Sequence, residues 1–264
     1  MRKNSKKLRG DGLNSIRREQ ILEFIKARKA VSLKELSQSF SYVSNMTLHR
    51  DLDYLENNGD IERVRGGAKY IDKETGSHEP AFVEREISNR EKKDAVVKKA
   101  LGLVHKGSSI YLDSGSTIMA LSKIIEDEPL SVVTNSPNVA LSFADKNFVN
   151  VTLCGGTLNK QNLSLCGSSA KETLEKINID VAFLVASGYS RETGFTCGND
   201  GETVIKNLVC KRARSVVLLI DSTKLDVVMP FTFATLCDVD YIVCDEQLPY
   251  EMRKEAENNK VIIL

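Results

Sequence analysis

The chain has 264 residues, of which 41% are hydrophobic and 28% are charged, and its formal net charge is +1. This length allows one large and one small domain, and the composition is that of an ordinary globular protein. No apolar run reaches the roughly 20 residues of a membrane-spanning helix, and no apolar segment follows the basic start as in a secretory signal. The six cysteines show no C-x-x-C spacing, so we expect reduced thiols in a cytoplasmic protein without a membrane partner.

Charge is distributed unevenly along the chain. Residues 1–72 contain 15 Lys and Arg against 10 Asp and Glu, whereas residues 73–264 contain 22 against 26. A basic front on an acidic body is typical of a polyanion-binding module joined to a second domain. We expect four segments: a basic disordered tail over 1–13, a small domain over 14–72, a linker over 73–83, and a large domain over 84–264.

The small domain begins with a predicted amphipathic helix over 15–28. Ile21 and Ile25 lie one turn apart and predict its inner face. Arg17 and Arg18 fall on the other side of the same helix, so we expect both side chains to point outward into solvent.

Local signals define the next two helices. Ser32 followed by Glu35 three positions later is a capping box, and it predicts a second helix over 33–39. A turn follows, and a third helix is expected over 44–58, where Gly59 ends it. Helices at this spacing favour a helix-turn-helix arrangement.

The third helix has one apolar face and one polar face. Leu48, Leu52 and Leu55 repeat at helical spacing, so this stripe is expected to face the core. Segments 61–64 and 68–71 then flank a basic glycine turn and predict a two-stranded wing. A polar, cationic helix beside a basic β-ribbon is suited to enter a DNA major groove and to contact phosphate. The candidate DNA-contacting residues are Ser44, Met46, Thr47, His49, Arg50, Arg63, Arg65 and Lys69.

An alternation of strands and helices defines the large domain. After a charged helix over 84–105, the predicted strands are 109–113, 130–134, 149–153, 180–186, 215–220, 240–244 and 260–264. The predicted helices between them are 116–126, 136–145, 168–177, 201–213 and 249–258. This alternation indicates an α/β domain with a mainly parallel sheet flanked by helices. Ligands of such sheets bind beyond the carboxyl ends of the strands.

Five of those strand ends carry glycine, hydroxyl or amide groups. The first reads Asp113-Ser114-Gly115-Ser116-Thr117 and opens a helix, whose N-terminal amides suit a phosphate. The others are Thr134-Asn135-Ser136, Cys154-Gly155-Gly156-Thr157, Ala186-Ser187-Gly188 and Asp221-Ser222-Thr223-Lys224. Each is also ordinary turn chemistry, but five in succession favour a shared pocket.

Several charged residues near those strand ends either bind the ligand or have a structural role. Lys224 either pairs with a ligand phosphate or is a solvated lysine. Asp113 and Asp221 either accept hydrogen bonds from sugar hydroxyls or cap their own turns. Glu202 and Lys206 lie four residues apart, which is typical of an ion pair on a helix surface.

Together these motifs resemble the DeoR family of bacterial transcriptional regulators. The family's DNA-binding signature resembles Thr47-Leu48-His49-Arg50-Asp51-Leu52, Gly59, and Arg63-Val64-Arg65-Gly66-Gly67-Ala68. The glycine and hydroxyl motifs of the second half occur in the order of the family's sensor domain. The family often has two arginines where this chain has His49 and Arg50.

The resemblance implies a homo-oligomeric repressor, a dimer or tetramer, that binds double-stranded operator DNA and is controlled by a phosphorylated sugar or related metabolite. It also implies a large domain that looks like ribose-5-phosphate isomerase. By that likeness, Gly115, Ser116 and Thr117 would hold the phosphate. The rest of the pocket would be lined by Asp113, Asn135, Gly156, Gly188 and Lys224.

Two other functions remain open at this point. A sugar-phosphate isomerase with an appended DNA-binding domain would need a positioned carboxylate base, but the loop from Ser187 to Gly194 has no paired aspartates. A winged helix that binds protein instead of DNA is the other, and the basic wing argues against it. No catalytic residue, metal site or cofactor is predicted, because the three histidines have no metal-ligand spacing.

Overall fold

The structure, a computed structural model, describes residues 17–57, 60–64, 66–70 and 79–264. The chain divides into two compact units, Met1–Thr75 and Gly76–Leu264, called the small unit and the large unit below. The division falls inside the predicted linker. The predicted tail, Gly59, Arg65 and the greater part of that linker lie outside the described residues.

The small unit consists of helices around one apolar core, with a small sheet at its side. Its elements in chain order are α1 (17–28), β1 (Ala30–Ser32), α2 (Leu33–Ser39), α3 (Asn45–Asn57), β2 (Ile61–Val64) and β3 (Gly67–Tyr70). The core contains the predicted apolar residues Ile21, Ile25, Leu48 and Leu52, all of them fully buried. Burial of each such side chain stabilises the unit by about 1.5–3 kcal/mol.

The capping box predicted at the start of α2 is confirmed. The Ser32 Oγ accepts a hydrogen bond from the Glu35 N–H at 3.2 Å, and the Glu35 carboxylate accepts one from the Ser32 N–H at 2.8 Å. These two bonds satisfy amide donors that have no partner within the helix. The observed helix has the predicted bounds, because its signals are all local.

The predicted wing is part of a three-stranded antiparallel sheet in the order β1-β3-β2. The short strand β1 was missing from the sequence prediction. Gly67 lies where β3 crosses β1, and a Cβ there would come within 2.1 Å of the Val31 carbonyl oxygen. A glycine at this position therefore lets the wing pack closely against the strand that follows α1.

The expectation that Arg17 and Arg18 point into solvent is wrong. Both guanidinium groups bind the buried carboxylate of Asp51 on α3, with Nε to carboxylate distances of 2.6 and 3.0 Å. Asp51 is only 1% exposed. The apolar periodicity of α1 does not reveal this, because the partner carboxylate lies on another helix. The two bonds fix α1 against the third helix.

The large unit alternates strands and helices, as predicted. Its elements in chain order are α4 (Phe82–Ile87), α5 (Arg90–Leu101), β4 (Ser109–Leu112), α6 (Ser116–Ile124), β5 (Leu130–Thr134), α7 (Pro137–Leu141), β6 (Val149–Leu153), β7 (Thr157–Asn159), β8 (Ser164–Cys166), α8 (Ser168–Glu175), β9 (Ile179–Val185), β10 (Gly188–Ser190), β11 (Gly194–Cys197), α9 (Asp200–Arg212), β12 (Ala213–Ile220), β13 (Phe231–Ala234), β14 (Tyr241–Cys244), α10 (Tyr250–Asn258) and β15 (Ile262–Ile263). Two 3-10 helices cover Ser222–Lys224 and Leu236–Asp238.

The seven predicted strands form one sheet in the order β15-β14-β12-β9-β4-β5-β6. All six neighbouring pairs are parallel, which confirms the expected α/β class. Alternate residues of each strand enter separate apolar cores on the two faces: Ile110 and Leu112 lie on one side, and Tyr111 on the other. Helices α5, α6 and α7 cover the first face, and α8, α9 and α10 cover the second.

The strand order changes direction between β4 and β9. From β4 the chain moves outward through β5 to β6, and then returns to β9 on the other side of β4 before it moves outward again. Crevices open at such a point, because the two flanking connections leave in opposite directions. The sheet therefore places a binding crevice at the carboxyl ends of β4 and β9.

Several short elements differ from the sequence prediction. The charged helix predicted over 84–105 is two helices, α4 and α5, separated at Ser88 and Asn89, where Asn89 has a φ of +50°. The hairpin β7-β8 and the sheet β10-β11-β13 were not predicted. These strands have only three or four residues, too few to show a period.

No helix in the part of the chain that the structure describes is both long enough and apolar enough to cross a membrane.

Candidate functional site

In the small unit, the start of α3 is held by two hydroxyl groups. The Ser44 Oγ accepts a hydrogen bond from the Thr47 N–H at 3.2 Å and lies 2.9 Å from the Thr47 Oγ1. Ser44 thereby caps the helix. Beyond this cap, the polar face presents Met46, His49 and Arg50, all of them exposed, and Met46 is 68% exposed.

Arg63 of β2 lies across the same face of α3. Its Nη1 donates to the Asp53 Oδ1 at 2.8 Å, and its Nη2 lies 3.0 Å from the His49 Nδ1. Its backbone N–H donates to the Glu56 carboxylate at 3.1 Å. The wing is therefore attached to the helix through this arginine.

The next strand of the wing carries an exposed lysine. Lys69 on β3 is exposed and lies opposite Glu62 of β2 in the antiparallel register. Arg65, the other cation predicted for the wing, lies outside the described residues. An exposed helix face with polar and cationic groups beside a cationic strand has the geometry with which winged helices contact DNA bases and phosphates.

In the large unit, a cleft opens at the predicted carboxyl ends of β4 and β9. It is lined by the start of α6, the ends of β9 and β12, and residues of α4 and α5. Of the eight effector-binding candidates, Gly115, Ser116, Thr117 and Lys224 line it. The turn after β4 and the 3-10 helix after β12 thus meet at one site, whereas the predicted strand ends at Asn135 and Gly156 do not line it.

The first turn of α6 faces this cleft without a side-chain cap. Gly115 precedes it with a φ of +124°, a conformation that L side chains rarely adopt, and a Cβ there would lie 3.1 Å from the Val185 side chain. The N-terminal amides of a helix carry partial positive charge and bind anions. The turn thus brings backbone donors and the Ser116 and Thr117 side chains to the cleft.

Two lysines bring positive charge to the same cleft. The Lys93 ammonium donates to the backbone carbonyls of Arg85 and Ser88, the latter at 2.6 Å, and its burial lowers the pKa to about 8. The Lys224 ammonium has no hydrogen-bond or ion-pair partner among the residues that the structure describes. The cleft therefore combines two cations with a helix N-terminus, which suits an anionic ligand.

A buried carboxylate forms the opposite wall. The Glu79 Oε1 lies 2.8 Å from the Arg85 Nη1 and accepts a hydrogen bond from the Ser187 Oγ at 2.7 Å. The Glu79 Oε2 accepts a further bond from the Asn162 Nδ2 at 3.2 Å. Glu79 is also the first described residue after the segment that joins the two units.

Two polar effector-binding candidates are occupied by contacts within the protein. The buried Asp113 carboxylate accepts bonds from the N–H groups of Ser114 and Val185, at 2.8 and 3.1 Å, and pairs with Lys206. The Asn135 side chain accepts from the Tyr111 hydroxyl at 2.9 Å and donates to the Leu165 carbonyl at 3.3 Å. Neither residue is among the described residues that line the cleft.

The two glycine candidates of later strand ends have packing roles. A Cβ on Gly156 would lie 2.3 Å from the Cys166 carbonyl oxygen, and one on Gly188 would lie 2.3 Å from the Val227 carbonyl oxygen. Gly156 allows the hairpin β7-β8 to close, and Gly188 allows the segment before β13 to cross β10. Both lie apart from the described cleft lining.

The surface ion pair expected between Glu202 and Lys206 is wrong. Both side chains are buried, and Lys206 binds Asp113 and the Val185 carbonyl instead. The Glu202 carboxylate accepts from the Asn162 Nδ2 at 2.7 Å. Burial raises the pKa of Glu202. Helical spacing placed the two side chains on one face, but that face lies inward.

Asp221 caps its own turn, which is one of the two roles considered for it above. Its Oδ1 accepts a hydrogen bond from the Thr223 N–H at 3.0 Å and so caps the 3-10 helix, although the residue also lines the cleft. Among the described residues, no group of three or more His, Cys, Asp and Glu side chains has the arrangement to hold a metal ion.

Sequence reasoning missed three charged residues of the cleft: Glu79, Arg85 and Lys93. Glu79 lies in the predicted linker, and the other two lie in a run of charged residues that is typical of a solvated helix. Their one sequence signal is the pair Ser88-Asn89, which interrupts that run where α4 ends and α5 begins.

Comparisons with known proteins cover both units. A family model described as the DeoR-like helix-turn-helix domain matches residues 17–74. A second model, described as the DeoR C terminal sensor domain, matches residues 88–246.

Similar proteins match over nearly the whole chain. The HTH-type transcriptional regulator GlpR of Haloferax volcanii is 32% identical over 94% of this chain and 96% of its own length. The HTH-type transcriptional regulator GolR of Listeria innocua is 31% identical over 92% and 94%. The lactose phosphotransferase system repressor of Lactococcus lactis is 29% identical over 95% and 99%.

Among solved structures, a ribose 5-phosphate isomerase from Methanocaldococcus jannaschii matches 52% of this chain and 55% of its own, with 21% identity and a TM-score of 0.40. The eIF2B beta subunit from Chaetomium thermophilum matches 67% of this chain and 55% of its own, with 10% identity and a TM-score of 0.47.

Proposed function

The chain belongs to the DeoR family of transcriptional regulators, and from this premise we propose that it represses carbohydrate genes until a phosphorylated sugar or related metabolite binds its large unit. It is a DNA-binding regulator and not an enzyme. We propose the class of the ligand, the release of DNA when it binds, and the residues that bind DNA and ligand.

One observation carries the proposal: the uncapped start of α6 faces the same cleft as Lys93 and Lys224. A phosphate monoester has about two negative charges at neutral pH and three acceptor oxygens. Helix amides, hydroxyl groups and ammonium groups are the donors that such an anion requires. A neutral sugar would bring no negative charge to Lys93 and Lys224.

The remaining wall of the cleft suits the hydroxyl groups of a sugar. Glu79 and Asp221 offer carboxylate acceptors, and Ser187 offers a hydroxyl. Sugar hydroxyls donate to carboxylate oxygens and to the Ser187 Oγ, whose own proton is donated to Glu79, so a polyol attached to the phosphate finds acceptors there. Relatives named for carbohydrate systems, such as the lactose phosphotransferase system repressor, point to the same ligand class.

The small unit supplies the DNA contacts. Helix α3 enters the major groove with Met46, His49 and Arg50 toward the bases, and the cap formed by Ser44 and Thr47 lies near the phosphate backbone. Lys69 of the wing binds backbone phosphate. The protein acts in the cytoplasm as a homo-oligomer, because one helix-turn-helix reads only a half-site and repressors bind repeated half-sites.

Glu79 gives the cleft a route to the segment that joins the units. An anion bound beside Arg85 competes with the Glu79 carboxylate for that guanidinium and repels the carboxylate. Glu79 is the first described residue after that segment, so its displacement is a change next to the connection between the units. Ligand binding then shifts DNA affinity by its preference for one arrangement.

The DNA part of the proposal is tested with fragments from upstream of the protein's own gene. We expect binding that weakens steeply with salt, because phosphate contacts release counterions. Arg50→Ala should lower affinity by about 1–3 kcal/mol, whereas Arg214→Ala, which removes an 81% exposed arginine of the large unit, should have no effect. Affinity that does not respond to salt would instead indicate a protein partner.

The ligand part is tested by a thermal-shift screen of sugar phosphates, with inorganic phosphate and the unphosphorylated sugars as comparisons. We expect a phosphorylated compound to raise the unfolding temperature and to release bound DNA. Lys224→Ala should abolish both effects without loss of DNA affinity. The matched control Lys254→Ala removes an exposed lysine that does not line the cleft, and it should respond like the parent protein. An equal response of the two variants would contradict the assignment of the cleft.

A further inference from the structure

The contact between Arg63 and His49 determines which atom of the His49 ring can donate a hydrogen bond to a DNA base. The Arg63 Nη2 lies 3.0 Å from the His49 Nδ1. A guanidinium has only N–H donors and does not lose its proton in a protein. The His49 Nδ1 is therefore the acceptor of this bond. In the neutral ring the proton then lies on Nε2, at the other end of the imidazole.

Arg63 is anchored well enough to impose this state. Its Nη1 also donates to the Asp53 Oδ1 at 2.8 Å, and its backbone N–H donates to the Glu56 carboxylate at 3.1 Å. The three partners lie on successive turns of α3. To reach a DNA phosphate, the guanidinium would have to give up its Asp53 and His49 contacts. This arrangement distinguishes Arg63 from Lys69, which is exposed on the neighbouring strand.

We propose that His49 reads one operator base by donating its Nε2–H to an acceptor on the base edge, and that Arg63 is the positioning residue that sets this tautomer. The inference rests on the proposed entry of α3 into the major groove. In that groove a single donor is satisfied by a purine N7, a guanine O6 or a thymine O4, and it is opposed by the amino groups of cytosine and adenine.

The inference assigns Arg63 a role other than the phosphate contact expected from the sequence. A phosphate contact contributes affinity equally on every sequence and adds about one to the salt slope. A positioning residue instead contributes at one base position and leaves the salt slope unchanged. The two roles therefore differ in what a binding experiment measures.

The test is selection of operators from a randomised library, followed by affinity measurements at several salt concentrations. The parent protein should prefer an acceptor-bearing base at one position, and His49→Ala should lose that preference alone. Arg63→Met should weaken the same preference by about fivefold, the size of one hydrogen bond. In a His49→Ala background, Arg63→Met should have no further effect on it. Lys69→Met is the matched control, and it should weaken binding to all sequences and reduce the salt slope.

Operators with a modified base show which acceptor atom of the DNA receives the His49 hydrogen bond. If selection places a purine at that position, 7-deazapurine substitution should weaken the parent protein and leave His49→Ala unchanged. If selection places a thymine there, replacement of its O4 acceptor should likewise weaken binding by the parent protein and leave His49→Ala unchanged. Asp53→Asn, which loosens the anchor without altering Arg63 or His49, should reproduce part of the Arg63→Met effect and thereby exclude misfolding as its cause.

Nitrogen NMR of the free protein gives a readout that does not depend on DNA. The His49 Nδ1 should be unprotonated, and its resonance should move in Arg63→Met but not in Arg50→Met. A protonated Nδ1, or an Arg63→Met loss that is uniform across sequences with a smaller salt slope, would overturn the inference. Absence of any DNA binding by the parent protein would overturn the proposed function instead, and the NMR result would stand separately.

Discussion

Two ion pairs, one in each unit, lie in opposite environments. In the small unit, Arg63 of the wing pairs at the surface with Asp53 of α3. In the large unit, a buried pair behind the cleft joins residues far apart in sequence, Lys206 and Asp113. Surface pairs of this kind hold the wing on α3, whereas the buried pair fixes the backbone at the end of β4 and β9. The surface pair suits an element that contacts DNA, and the buried pair suits a rigid cleft for a small ligand.

The largest expected effect comes from the buried pair. Lys206→Met should lower the free energy of unfolding of the large unit by about 3–5 kcal/mol, because it leaves the buried Asp113 carboxylate without a compensating positive charge. Chemical denaturation of the full chain measures this. Lys171→Met removes an exposed pair with Glu175 and should change stability by less than about 0.5 kcal/mol.

The double variant Asp113→Leu with Lys206→Met sharpens the same comparison. Removal of both charges should recover part of the loss, because no uncompensated charge then remains inside. A single variant Lys206→Met that is as stable as Lys171→Met would mean that the buried and exposed pairs do not differ as described.

An intermediate effect concerns pH. The ordinary lysine pKa of 10.5 is lowered to about 8 at Lys93 by burial, so its ammonium is lost as pH rises through 8. From pH 7 to pH 9 the affinity for a phosphate dianion should fall by up to about tenfold, since roughly one lysine in ten remains charged at pH 9. Calorimetric titration measures this, and Lys93→Met should bind more weakly with a much flatter profile.

The stability of the ligand-free protein should move in the opposite direction. The unfolded chain holds the Lys93 proton up to a pKa of 10.5, whereas the folded chain releases it near 8. The unfolded state therefore binds more protons between these values, and the free energy of unfolding rises with pH in this window. If stability and ligand affinity instead fell together, and Lys93→Met showed the same trend, Lys93 would not be the group responsible.

The smallest effect belongs to a surface cap in the small unit. Ser32→Ala removes the hydroxyl of the capping box and should destabilise the small unit by about 1 kcal/mol. Ser37→Ala is the control, since its exposed hydroxyl bonds only the Lys34 carbonyl within α2. Amide hydrogen exchange in α2 measures both, and equal exchange rates in the two variants would show that the cap contributes no stability.

The same contrast explains how much of the structure was predictable. Helix α2 was predicted with its observed bounds, because its capping box lies within four consecutive residues. The seven sheet strands were found because each is an apolar run between polar turns. The contacts of Asp51 with Arg17 and Arg18 were missed, since no local pattern joins residues on separate helices.

The candidate site was predictable only where it follows a strand. Gly115, Ser116, Thr117 and Lys224 were found because parallel strands bring their carboxyl ends to one edge. Lys93 was missed because its run of charges is typical of a solvated helix, although the fold buries it. Gly156 and Gly188 follow strands as well, but they serve close backbone contacts.

The order of the strands also bears on how the chain is made. Strand β4 pairs with β9, which leaves the ribosome only after β5 to β8. Such non-local pairing is slow, and domains form from the amino-terminal side as synthesis proceeds. The small unit is therefore translated in full before the last strands of the large sheet, so the DNA-binding helix of each new chain exists before its ligand cleft can form.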